Sequence, residues 1–191
     1  NHKSKIKLLK KFGYTGNYND FKKSFEKEEW LGYVKRVNYI QLFKRILDKI
    51  GLKLSNNTLK QFVNEFFKLH KKVQTVAGAE ETLKKLMEKG IKICILTDTI
   101  FTEEEKWKWF KSIGMDKYID IIICSHDTKI TKANKESYSE CLKRMKLKHD
   151  EVIFVGHKQY EMNGAKKANV TSIAILPVSD KNIKSDYNIN S

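Results

Sequence analysis

Between Gly78 and Pro177 the chain alternates amphipathic helical stretches with short apolar runs, and this alternation narrows the fold more than any other feature. Gly78 to Gly90 is predicted as a helix, with Leu83, Leu86 and Met87 on one face and Gly90 as its stop. Ile91–Leu96 is a strand rich in β-branched residues that ends in Thr97-Asp98-Thr99. A helix over Glu103–Ile113, closed by Gly114, leads to a second strand over Tyr118–Cys124. A helix over Asn134–Met145 precedes a third strand, Val152–Val155, which runs into Gly156-His157. Tyr160–Ala168 is the next helix, and Val170–Leu176 is a fourth strand ending before the single proline, Pro177. Strands and helices alternating in steps of about 25 residues specify an α/β fold with a doubly wound parallel sheet. Such sheets bind ligands beyond the carboxyl ends of their strands. Thr97, Asp98, Ser125, His126, His157 and Glu161 therefore fall on one rim.

The preceding segment needs no strand. Ile6, Leu8, Leu9 and Phe12 have helical spacing and end at Gly13. Asn19 or Asp20 is a candidate cap for a second helix carrying Phe21, Phe25, Leu31 and Val34. Leu42, Phe43, Ile46, Leu47 and Ile50 form a clearer stripe, and Ser55 caps a helix bearing Leu59, Phe62, Val63, Phe66, Phe67 and His70. The expected organisation is a helical cap over 1–75, an α/β core over 76–178 and a loose polar tail over 179–191.

Composition narrows the class further. Hydrophobic residues at 40% supply a core, and no apolar run approaches the ~20 residues of a membrane span. The basic start lacks the apolar stretch of a secretory signal. Cys94, Cys124 and Cys141 show neither disulfide-framework nor zinc spacing, which points to a reducing, cytoplasmic setting. The net charge of +15 is uneven: residues 1–75 carry +12 and residues 76–191 carry +3. A basic lobe attracts phosphates or nucleic acid. No nucleic-acid-binding signature is present, and the aromatic residues are spaced as core, so nucleic acid is the weaker reading.

Four segments carry a family resemblance. Val76-Ala77-Gly78-Ala79-Glu80-Glu81-Thr82-Leu83 leads into Ile93-Cys94-Ile95-Leu96-Thr97-Asp98. Ile113-Gly114-Met115-Asp116-Lys117-Tyr118-Ile119-Asp120 follows, then Lys132-Ala133-Asn134-Lys135-Glu136-Ser137-Tyr138. The last is Ile153-Phe154-Val155-Gly156-His157-Lys158-Gln159-Tyr160-Glu161-Met162-Asn163-Gly164-Ala165. Together they resemble the haloacid dehalogenase-like hydrolase superfamily over about residues 76–176. The helical segment before them resembles the cap that one subgroup inserts after its first strand.

The resemblance implies phosphoryl transfer through an aspartyl-phosphate. It places Thr97 on a phosphoryl oxygen, with Asp98 beside it on the substrate. It places Lys132 as the cation balancing nucleophile and phosphate. It also implies Mg²⁺, with Glu161, His157 and Asp127 as candidate ligands. His157 stands where the family carries a carboxylate. Imidazole suits softer metals, so a different divalent ion is the alternative. The family's Asp-x-Asp nucleophile element is absent from the sequence and is expected on a strand upstream of Asn1. The implied activity is a metal-dependent phosphatase or phosphotransferase on a small phosphorylated substrate, with Tyr14, Tyr18, Trp30 and Tyr33 as candidates to shape specificity. The alternative is a catalytically impaired relative that binds a phosphorylated ligand or a partner.

Overall fold

The computed structural model describes residues 2–34, 36–69, 73, 75–176 and 182–190. His70, Pro177 and the tail residues 179–181 and 191 lie outside the described residues. Four helices come first: α1 (His2–Lys11), α2 (Tyr18–Tyr33), α3 (Tyr39–Lys49) and α4 (Asn56–Leu69). The apolar stripes read from the sequence turn inward, and Phe21, Phe43, Phe62 and Phe66 are fully buried together. The α2 cap is Asn17 rather than Asn19 or Asp20: its side chain accepts from the Asn19 amide at 2.8 Å. A cap needs extended backbone just before the first helical turn, and Asn17 has that conformation. Asn38 and Gln41 form a reciprocal capping box on α3, and Ser55 accepts from the Thr58 amide at the start of α4.

The remaining elements are α5 (Ala79–Glu88), β1 (Cys94–Thr97), α6 (Glu103–Ser112), β2 (Ile121–Cys124), α7 (Ser125–Thr128), α8 (Lys135–Met145), β3 (Ile153–Gly156), α9 (Gln159–Lys167), β4 (Thr171–Leu176) and β5 (Tyr187–Asn190). Every strand pair among the described residues is parallel. The alternation expected from the sequence is present, with strands shorter than their apolar runs. Asp120 explains one shortening: its carboxylate accepts from the Ile93 amide at 2.7 Å, so the run before Cys94 is held by a side chain. No helix among the described residues is long and apolar enough to cross a membrane.

Two features depart from the expectation. The strands form two sheets, β1-β2 and β3-β4-β5, instead of one. Leu96 of β1 and Phe154 of β3 pack in one apolar cluster with Tyr138 and Ala165, yet no described ladder joins the two strands. Helix α8 spans the interval, packing on β1 and β2 and also on α9.

The second departure is the tail. It is not loose throughout: β5 adds to β4 in the register Ile173↔Tyr187 to Leu176↔Asn190. Side chains on both partners dock it, the Gln159 amide group bonding the Lys184 backbone twice, at 2.7 and 3.1 Å. Ile183 is buried with Met162 and Ala174, and Asp186 accepts from the Ser172 amide and hydroxyl at 2.7 and 2.8 Å.

Candidate active site at the split in the sheet

Parallel strands of one sheet end on the same side, so Thr97 closes β1 beside Cys124 of β2. Asp98 follows, partly desolvated. One of its carboxylate oxygens accepts from the Lys132 amide at 2.9 Å and the other from the Tyr160 hydroxyl at 3.1 Å. Burial outweighs these bonds and pushes the Asp98 carboxyl above its ordinary range.

Lys132 lies in the loop before α8 and reaches across to the start of α9. Its Nζ is 2.5 Å from Glu161 Oε1, with side chains only 13% and 1% exposed. The other Glu161 oxygen accepts from the amides of His157 and Lys158 at 3.0 and 3.2 Å, as the acidic member of a helix cap. Burial pushes Glu161 upward. The Lys132 hydrogen bond and then the His157 amide outweigh it, leaving the carboxyl below its usual range.

Tyr138 holds this arrangement from beneath. Its buried hydroxyl lies 3.0 Å from the Lys132 carbonyl and 2.6 Å from the Glu161 carbonyl, latching the loop to α9. Gly164 lets the loop come close: a Cβ there would sit 1.9 Å from the Lys132 carbonyl oxygen.

The helical first segment contributes through α2. Tyr33 of α2 is hydrogen-bonded to Glu29 and lies within electrostatic reach of Asp98. Burial first, then the Glu29 carboxylate, raise the Tyr33 hydroxyl far above its ordinary range. Burial likewise raises Glu29, while Tyr33 and Lys158 pull it back.

Of the residues read from the sequence, Asp98, Lys132 and Glu161 form one hydrogen-bonded cluster beside Thr97. His157 borders it, with a side chain 59% exposed and Nδ1 3.7 Å from Glu161 Oε2. Ser125, His126 and Asp127 have other partners. Ser125 accepts from the Thr99 amide, and His126 Nδ1 meets the Gly32 carbonyl of α2 at 3.2 Å. Asp127 caps α6, accepting from the Glu103 amide at 2.7 Å. Of the four cap aromatics, Tyr33 faces this cluster. Tyr14 is buried and Tyr18 packs against the same helical core, while Trp30 lies under Arg36.

Tyr138 and Tyr160 stood in the quoted segments without an assigned role, and Glu29 was not singled out. Tyr160 carried one usable signal, its place in the first turn of the helix after β3, one residue before Glu161.

The described side chains alone do not make up the Mg²⁺ site implied by the resemblance. Mg²⁺ takes several hard oxygen ligands in near-octahedral geometry. Both Glu161 oxygens are already bonded to N–H groups, residue 157 offers an imidazole, and Asp127 is committed to α6. Among the described residues no three His, Cys, Asp or Glu side chains are grouped to hold a metal ion.

Comparison with known proteins agrees with the architecture. Pyrophosphatase PpaX of Halalkalibacterium halodurans is 31% identical over 105 residues, which is 55% of this chain and 48% of that protein. The chain thus matches about half the length of that relative. Glyceraldehyde 3-phosphate phosphatase of Methanocaldococcus jannaschii is 27% identical over 162 residues, covering 81% of this chain and 68% of the relative. The HAD-hydrolase YfnB from Bacillus subtilis, solved with magnesium bound to it, superposes with a TM-score of 0.74 at 18% identity. That superposition covers 98% of this chain and 86% of YfnB. A dehalogenase structure superposes with a TM-score of 0.71 at 20% identity, covering 100% of this chain and 87% of that one. A model of one family matches residues 6–175, nearly the whole length, and the chain belongs to that family, the haloacid dehalogenase-like hydrolases.

Proposed function

We propose that the chain is the cap and most of the core of a phosphatase or phosphotransferase acting on a small phosphorylated substrate. The observation that carries this reading is the Lys132–Glu161 pair, held between the two sheets beside Thr97 and Asp98. Phosphoryl transfer concentrates negative charge on the equatorial oxygens, and a fixed cation with short hydroxyl donors lowers its energy. Lys132 gives one ammonium proton to Glu161 and retains two for phosphoryl oxygens. The Thr97 hydroxyl supplies a further donor from the end of β1. Glu161 and Tyr138 orient Lys132, and Tyr33 closes the site from the cap.

The nucleophile in this reading is an aspartate on a strand that fills the interval between β1 and β3, contributed from upstream of Asn1. Its carboxylate attacks phosphorus, the bond to the leaving oxygen breaks, and water later cleaves the acyl-phosphate. The +12 charge of residues 1–75 draws an anionic substrate toward the cap.

The test begins with the intact mass and N-terminal sequence of the protein from its own cell, which must contain such an aspartate. The protein is then assayed for phosphate release from a panel including glyceraldehyde 3-phosphate and pyrophosphate, the compounds in the names of the two relatives. Turnover that falls at least a hundredfold in Lys132→Met supports the reading. No phosphate release from any ester with the native protein sinks it.

One observation favours a second reading, a phosphate-ester binder without turnover: an imidazole, His157, stands where the family carries a carboxylate, and both Glu161 oxygens already accept from N–H groups. Calorimetric binding of a phosphate ester that persists without hydrolysis would select it.

A further inference from the structure

The three thiols are not equivalent. Cys124 is buried within the β2 cluster, between β1 and α6. Cys94 and Cys141 are half-buried, 47 residues apart in sequence, and their sulfurs stand 2.8 Å from each other. Their backbones explain the meeting. Residues two apart on a strand share a face, and Leu96 of β1 packs in the cluster that contains Tyr138 and Leu142 of α8. Cys94 shares that face, and Cys141 precedes Leu142 on the same helix. The sulfur separation exceeds a ~2.05 Å disulfide bond by less than about 1 Å.

We propose that Cys94 and Cys141 are an oxidation site, closing to a reversible disulfide that clips helix α8 to strand β1. The co-reactant is a low-molecular-weight disulfide such as oxidised glutathione. The hydrogen bond to Cys94, and then burial, hold the Cys141 thiol protonated well above its ordinary range. In the proposed order Cys94 attacks first, with Cys141 as the resolving thiol. Its thiolate displaces one glutathione thiolate and forms a mixed disulfide at Cys94. Cys141 then gives up its proton, and its sulfur attacks the Cys94 sulfur and expels the second glutathione thiolate. Two protein thiols are oxidised and one glutathione disulfide is reduced to two thiols. The clip falls on the helix whose Tyr138 latches the Lys132 loop, so oxidation stiffens the support of that loop. The thiol chemistry itself is independent of phosphoryl transfer.

The experiment incubates the full chain with excess oxidised glutathione, quenches it with iodoacetamide in denaturant and measures intact mass. The expected product has lost two hydrogen atoms, carries one alkyl group, and yields a protease fragment joining Cys94 to Cys141. Dithiothreitol restores three alkylatable thiols, and Cys124→Ser still forms the cross-link. Cys141→Ser is expected to keep glutathione on Cys94. Three alkylated thiols after oxidation, a lasting glutathione adduct on the unsubstituted chain, or a cross-link to Cys124 would each overturn the proposal. Mapping the cross-link in the unsubstituted chain needs no variant, so a misfolded substitution leaves the test intact.

Discussion

Lys132 and Glu161 show how much one buried contact controls here. Removing the ammonium in Lys132→Met leaves a carboxylate that is 1% exposed without its cation. Breaking a buried pair in this way costs several kcal/mol. Two amides still hold Glu161 Oε2, so we expect a loss of about 3 kcal/mol in urea unfolding, at the low end of that range. The same carboxylate sets an acid limb. Its folded pKa is lowered, so its contribution is complete above the ordinary value of 4.5 and is lost as pH falls through the folded value. Asp98 works the other way, because its pKa is raised: its contribution is complete at low pH and is lost as pH rises through the folded value. Glu161→Gln should therefore flatten the stability curve below pH 4.5, and an acid limb as steep as that of the unsubstituted protein would refute the assignment. Tyr138→Phe deletes the hydroxyl shared by two carbonyls and should cost about 1–2 kcal/mol, with little change in secondary structure by circular dichroism.

At the scale of elements, β5 is the clearest case of a structure invisible to periodicity. Residues 182–190 are mostly polar, and the strand is held by main-chain pairing plus contacts of Ile183, Asp186 and the Gln159 side chain. Asp186→Ala should release it. Hydrogen exchange at Ile189 and its strand neighbours is expected to accelerate at least tenfold while amides of α3 and α4 are unchanged. Equal acceleration in both places would mean that the tail is not a separate unit. The helices were more legible, because their stops and stripes are local: Gly13, Gly51, Gly90 and Gly114 all adopt positive φ just after a helix. Thr97 and Glu161 were legible as rim positions for the same reason, since each lies next to the end of a strand or the start of a helix, whereas Lys132 was legible only through the family resemblance. Asp127 was read as a candidate metal ligand, but its carboxylate accepts from the Glu103 amide at the start of α6.

Across the whole molecule, the two sheets leave apolar surface uncovered. Ile153 and Val155 of β3 are 61% and 53% exposed, and Ile175, Tyr187 and Ile189 on the neighbouring strands are exposed too. Helix α5 buries none of its residues. Parallel sheets ordinarily have both faces covered. The chain of 191 residues should therefore bind a hydrophobic dye such as anilinonaphthalene sulfonate, and Val155→Lys should reduce its fluorescence at least twofold. Unchanged fluorescence would place the exposed surface elsewhere. Sequence alone determined the class of the fold, the helical first segment and the strand ends where the site lies. Those features arise from periodicity, glycine stops and chain-local order. Tertiary structure alone decided which rim residues meet, the Tyr138 latch, the Cys94–Cys141 contact, the β5 pairing and the division into two sheets. Each of these joins residues far apart in sequence through a hydrogen bond, a sulfur contact or a strand edge, and none of them leaves a period in the chain.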